Sequence, residues 1–238
     1  MRNRDYSLQS DLLSFQGKSV PLYSKEGFAL LSELWLKVGW NERHHYSFNW
    51  MGIPILQLPD DLLRLQELVF EVKPDVIIET GIALGGSMLF YASLVKALDH
   101  GRVIGIDVDL RPCNRKQIEE HALAEFITLI DGDSAETTII EKLNLKDEKV
   151  LVVLDSNHSK NHVAKELELF APLVSQGSYL VVCDGFKAKV SDVPRGKESW
   201  VKDNPLEAVS EFLQNHPEFS LEKDHLVTHL NGGILKRG

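Results

Sequence analysis

The sequence is short of several things. Two of its 238 residues are cysteine, Cys113 and Cys183. Two thiols cannot make a disulfide framework, so a reducing cytoplasm is the expected compartment. No Cys/His spacing matches a structural zinc site. No apolar run approaches the roughly 18 residues of a membrane-spanning helix, and the opening MRNRDYSLQSDLLSF lacks the apolar core of a secretory signal. Positive charge is in deficit: 26 Lys and Arg stand against 35 Asp and Glu, a net charge of −9. That balance argues against nucleic acid or an anionic membrane surface as partner, since both need clustered cations. There is no internal repeat and no low-complexity stretch. Phosphate-binding signatures are missing too. No Gly-Lys-Ser/Thr occurs, and position 83, where a dinucleotide fingerprint starting at Gly81 needs its second glycine, is Ala83.

The remaining composition is ordinary for a globular protein, with 43% hydrophobic and 26% charged residues. Residues 1–72 read as a helical, aromatic-rich extension that holds Trp35, Trp40 and Trp50 and would act as a cap over a substrate pocket. Residues 73–238 read as an α/β domain. Short apolar runs predict strands at Asp75–Thr80, Arg102–Asp107, Phe126–Ile130, Lys149–Asp155 and Ser178–Asp184, alternating with helices at Gly86–Ala97, Arg115–Ala124, Ala135–Leu143 and His162–Val174. Runs such as VLVVL and YLVVC are continuous rather than alternating, which suits strands covered on both faces of a doubly wound, mostly parallel sheet. Asn204-Pro205-Leu206-Glu207 is a helix start, and two short strands follow near Phe219–Glu222 and Gly233–Lys236. Ser191 to Asn204 reads as a mobile loop.

In such a sheet ligands bind beyond the carboxyl ends of the strands. Glu79, Asp107, Asp109, Asp131, Asp133, Asp155 and Asp184 all fall at or just past those ends. Behind Glu79, the turn through Gly81 and Gly85-Gly86-Ser87 opens a helix. Its glycines allow close approach to a ligand, and its first N–H groups favour an anionic group; a plain tight turn is the competing reading. Asp107 is placed to accept a ribose diol, and Asp131 and Asp133 lie near where an adenine would sit. Acidic strand ends behind a loop without a second Gly pair suit S-adenosylmethionine better than NAD. Adjacent strand ends lie about 5 Å apart, so Asp155 and Asp184 can converge on one Mg2+. His158, three residues past Asp155, is placed to take a proton from a hydroxyl acidified there. The competing reading has both aspartates capping helices. Lys187, Lys189, Arg195 and Lys197 form a basic patch after the last of these strands, read either as a solvated face or as a guide for an acidic or phosphorylated substrate.

The stretch YSFNWMGIPILQLPDDLLRLQELVFEVKPDVIIETGIALGGS, followed by GRVIGIDVDLRP, resembles the cephalosporin hydroxylase and rhamnosyl O-methyltransferase family. Trp50-Met51-Gly52, Gln57, Pro59, Glu79-Thr80-Gly81 and Gly85-Gly86-Ser87 carry the resemblance in combination. It implies the seven-stranded Rossmann-like fold of class I S-adenosylmethionine-dependent methyltransferases and a relationship to macrolide-sugar O-methyltransferases. Glu79, Gly81, Gly85, Gly86 and Ser87 would hold the methionine part of the cofactor, with Asp107, Asp109 and Asp133 around its nucleoside. The family's Asp-x-x-His motif, a magnesium ligand and a general base, matches Asp155 and His158. Where the family carries an acidic pair after the fifth strand, this chain has Cys183-Asp184.

The reading is therefore an S-adenosylmethionine-dependent O-methyltransferase of a sugar or glycosylated natural product, assisted by Mg2+ and forming homo-oligomers. Tyr46 and Trp50 would wall the acceptor pocket. A non-catalytic cofactor-binding subunit is the alternative, prompted by Cys183. An NAD oxidoreductase is disfavoured by Ala83.

Overall fold

A computed structural model describes residues 6–9, 11–15, 17–222 and 228–238. Three short strands, β1 (Tyr6–Gln9), β2 (Leu12–Phe15) and β3 (Lys18–Pro21), form an antiparallel sheet and are followed by helix α1 (Lys25–Asn41). A hairpin of β4 (Phe48–Trp50) and β5 (Ile53–Ile55) precedes α2 (Pro59–Val72). The alternating unit then runs β6 (Val76–Thr80), α3 (Gly86–Ala97), β7 (Arg102–Asp107), α4 (Pro112–Glu119), β8 (Ile127–Asp131), α5 (Thr138–Lys142), β9 (Val150–Leu154), α6 (Lys160–Phe170) and β10 (Tyr179–Val182). Helix α7 (Pro205–Asn215) and strands β11 (Phe219–Leu221) and β12 (Ile234–Arg237) complete the chain.

The central sheet has seven strands in the order β11-β12-β10-β9-β6-β7-β8. β6 through β10 are mutually parallel and β12 is antiparallel to both neighbours. The strand pattern explains the layering. In β6, Val76 and Ile78 face one apolar cluster and Ile77 the other; in β9, Val150, Val152 and Leu154 oppose Leu151 and Val153. One face is covered by α2 and α3, the other by α6 and α7, so every side chain of these two strands is buried. Because β6 pairs with β7 on one side and β9 on the other, the chain reverses direction across the sheet there. The carboxyl ends of β6 and β9 consequently frame a crevice.

The expected strands and most helices are present with small shifts at their ends. The amino-terminal segment departs from its all-helical expectation. It contains β1 to β5 as well as α1 and α2, and left-handed residues at Asp11 (φ 61°) and Gly17 (φ 76°) make the turns between its first strands. Leu62, Leu65, Leu68, Val69 and Val72 of α2 belong to the main core cluster. Residues 191–204, expected as a mobile loop, are mostly exposed; they follow a short 3-10 turn at Lys187–Val190 and contain a second at Glu198–Val201. Phe186 and Val190 lie buried against Leu36 and Leu58, anchoring the segment to α1. At α7 the Asn204 side chain accepts from the N–H groups of Leu206 and Glu207, with Pro205 filling the first helical position.

Candidate active site

The turn after β6 is built by glycines whose neighbours leave no room for a side chain. Gly81 has φ 86°, and a Cβ there would overlap the Asp155 carbonyl; a Cβ on Gly86 would overlap the Pro54 carbonyl and Ile55. Asp107 fastens the turn. One of its oxygens accepts from the N–H of Ile82 (2.8 Å) and of Ala83 (3.1 Å), and the other accepts from the N–H of Asp109 (2.8 Å). Ala83 is left-handed (φ 47°), and its carbonyl accepts from the Asn114 amide at 2.7 Å. Below the turn Glu79 is fully buried. Ser87 donates to one of its oxygens at 2.6 Å, while the other has no partner. Burial pushes the Glu79 carboxyl up to about 8 against the Ser87 hydrogen bond, with the Asp107 charge adding to the rise.

Two cavities open on this turn. The first, of about 290 Å3, is lined by Gly81, Ala83, Asp107, Asp133 and Ser134 on one side and by Asp155, Ser156 and His162 on the other. Asp109 lines neither cavity and meets Asp107 only through its backbone. Asp131 faces outward in a bidentate pair with Arg115, both contacts at 2.7 Å.

The second cavity, about 330 Å3, is bounded by the whole Gly81–Ser87 turn, by Gln57 and by Asp155, His158 and Asp184. One ligating atom from each of these last three lies within 4.8 Å of the others. His158 Nε2 is 3.2 Å from Asp184 Oδ2, and the Gln57 amide donates to Asp155 Oδ2 at 2.8 Å. Burial, then the charges of Asp184 and Glu79, push the Asp155 carboxyl well up. Burial pushes Asp184 the same way, but His158, His229, Lys187 and His45 outweigh it and hold that carboxyl low. Asp184 is also left-handed, φ 57°, a strained backbone found most often where geometry serves function. Burial raises the Cys183 thiol well above its usual range. It packs among the apolar residues of the core, with the Asp155 carboxylate as a hydrogen-bond partner.

The fold brings several further residues here. His229 stacks on Phe186 (4.0 Å between ring centres) with Nδ1 3.9 Å from Asp184 Oδ1, and His45 stacks on Trp40 at 5.0 Å. Trp40, Lys187 and Trp200 complete this wall. His229 lies far from Asp184 in sequence, so no local spacing pointed to it; Lys187, three residues past Asp184, was visible as part of the basic patch. Tyr46 lines the second cavity. Trp50, expected beside it, lines neither cavity: its indole N–H donates to Ser93 (3.1 Å) and its ring packs edge-on to Phe90.

Strand order, glycine turn and crevice together define a doubly wound α/β protein with a ligand crevice at the carboxyl ends of β6 and β9. The model of the family Rhamnosyl O-methyltransferase/CmcI matches residues 42–238, and the chain belongs to that family of O-methyltransferases. It is 30% identical over 198 residues to the rhamnosyl O-methyltransferase of Mycobacterium leprae (strain TN), covering 79% of this chain and 82% of the relative. Among solved structures, a CmcI structure described as Mg-SAM superposes with a TM-score of 0.59 at 22% identity, over 81% of this chain and 77% of that one. CalS11, a TDP-rhamnose 3'-O-methyltransferase, superposes at 0.54 with 19% identity, over 75% and 79% of the two chains. At these identities the structural likeness establishes the fold. Among the described residues, no helix is long and apolar enough to cross a membrane.

Proposed function

We propose that the protein transfers a methyl group from S-adenosylmethionine to a hydroxyl of a sugar or glycosylated natural product, with Mg2+ held by Asp155 and Asp184 and His158 as the general base. The observation that carries this is the convergence of Asp155, His158 and Asp184 at the floor of a cavity shared with the glycine turn.

The residues suit both groups. Glu79 keeps a buried, unpartnered oxygen beneath the turn, as a site for a cationic methionine moiety requires. Gly81 and Gly86 keep the backbone bare, and Asp107 and Asp133 border the first cavity, where the nucleoside would lie. Two carboxylates with room for waters and substrate oxygens are a donor set that Mg2+ accepts. When bound, S-adenosylmethionine supplies an electrophilic methyl group and Mg2+ acidifies a hydroxyl beside it.

The rest of the work belongs to the chain. His158 lies close enough to the cation site to receive the hydroxyl proton, and burial lowers its pKa so that it stands neutral and able to accept. Gln57 fixes Asp155 through Oδ2. Trp40, His45, Tyr46 and Trp200 wall the acceptor side, excluding water and aligning the acceptor oxygen; such alignment contributes much of the acceleration in transfers of this kind. Rhamnosides are the first acceptors to test, since the M. leprae relative is named for them. Cytoplasmic residence and self-association through the exposed Phe28, Leu31, Trp35 and Val38 stripe of α1 complete the proposal. A non-catalytic subunit is not favoured, because such a role needs no convergent base and carboxylates.

The test is methyl transfer to methyl rhamnoside with and without EDTA. Activity that EDTA abolishes and Mg2+ restores supports the metal role, and full activity after chelation removes it. Calorimetric titration with S-adenosylmethionine checks the cofactor independently.

A further inference from the structure

The acceptor side of the second cavity holds a cation that the proposed chemistry leaves unused. Lys187 lines the cavity, partly buried, and among the described residues its ammonium makes no hydrogen bond and no ion pair. It stands over the Trp200 ring, 5.1 Å from its centre. Asp184 and Asp203 are the acidic groups whose charges reach it, neither within ion-pair distance. Asp184 is a proposed ligand of the cation, so its charge is already committed. An ammonium withdrawn from water without a carboxylate is costly, and such groups mark places where a ligand supplies the missing charge.

Two further cations border the same wall. Lys197 approaches the Trp200 ring to 5.9 Å from its centre, near enough to repel Lys187. The Arg195 charge reaches His45, another residue of the lining. The loop that bears them is held in place. A Cβ on Gly196, between the two, would overlap the Val190 carbonyl, so the two arms of the loop touch backbone to backbone there. The protein as a whole is acidic, at −9, which makes two lysines over one tryptophan, with Arg195 near the His45 side of the same cavity, a local exception.

We propose that Lys187, Lys197 and Arg195 form an anion subsite at the acceptor mouth, and that the sugar acceptor is phosphorylated, either a simple sugar phosphate or a nucleoside diphosphate sugar. The proposal rests on the sugar-acceptor reading above and narrows it. Phosphate suits the site because it spreads charge over several oxygens that separate ammonium and guanidinium donors can share. Trp200, which both lysines approach, lines the same cavity.

Calorimetry on the full chain with S-adenosylhomocysteine present separates the outcomes, with methyl rhamnoside, rhamnose 1-phosphate and a nucleoside diphosphate rhamnose as probes. The phosphorylated probes are expected to bind at least tenfold more tightly than the neutral one, with a preference that falls as salt rises. Lys187→Gln, or Arg195→Gln with Lys197→Gln, is expected to reduce that preference to threefold or less. Equal affinity of neutral and phosphorylated probes overturns the subsite and leaves the sugar reading standing. So does a preference that survives both sets of substitutions. If none of the three probes binds while S-adenosylhomocysteine does, the sugar-acceptor reading itself fails and the subsite with it. The two phosphorylated probes differ by a nucleoside monophosphate unit, so their ratio tells a sugar phosphate from a nucleotide sugar.

Discussion

His158 Nε2 sits 3.2 Å from Asp184 Oδ2, which joins the loop after β9 to the loop after β10 at the point where both open into the second cavity. Asp155 meets the same point from the end of β9. An imidazole and two carboxylates are thereby brought together at the carboxyl ends of two parallel strands.

His158→Ala is expected to lower kcat by about 10²- to 10⁴-fold, the usual contribution of a positioned general base, while cofactor affinity by calorimetry stays near wild type. A wild-type kcat in the variant would remove the base assignment.

Gly81→Ala places a methyl group against the Asp155 carbonyl at a backbone φ of 86°. The clash and the left-handed backbone together predict a loss of about 2 kcal/mol or more in urea unfolding. Activity falls further than stability, because the displaced strand end carries Asp155.

Ala83→Gly works in the opposite direction. Ala83 is held left-handed at φ 47° by hydrogen bonds through both its N–H and its carbonyl. Glycine adopts that backbone without the Cβ penalty, offset in part by its greater entropy when unfolded. A gain of about 0.5–1 kcal/mol is expected, measured as a higher midpoint in urea.

Asp61 sets a pH dependence of stability. It is buried in the first turn of α2, where it accepts from the His229 N–H at 3.1 Å, and burial raises its carboxyl to about 7 from 3.8. The folded state therefore holds this proton more tightly than the unfolded chain. The stabilisation is complete below pH 3.8, is lost as pH rises toward 7 and is gone above it. Relative to Asp61→Asn, the wild type should lose about 3 kcal/mol between pH 5 and pH 8. Parallel unfolding curves for the two proteins over that range would contradict this.

Much of the sheet was legible beforehand because its signals are local. Continuous apolar runs ending in an acidic residue marked β6, β7, β9 and β10, and Asn204-Pro205 marked the start of α7. The turn residues Gly81 and Gly86 were visible as glycines, and Asp155-Ser156-Asn157-His158 as a spacing. The short strands of the amino-terminal sheet were not legible. Runs such as LLSF and KSVP are too short for periodicity to separate strand from helix, and their pairing depends on turns at Asp11 and Gly17.

By itself the sequence determined the alternation of strands and helices, the acidic strand ends and the bare backbone of the glycine turn. Each follows from residue type and short-range spacing. The tertiary structure alone decided which distant groups share a cavity. It brought His229 and His45 toward Asp184, set Gln57 on Asp155, turned Trp50 onto Phe90 and left Lys187 over Trp200 with no carboxylate in ion-pair distance among the described residues. These pairings span tens of residues, and their energies arise only once the sheet has closed and water has left the crevice.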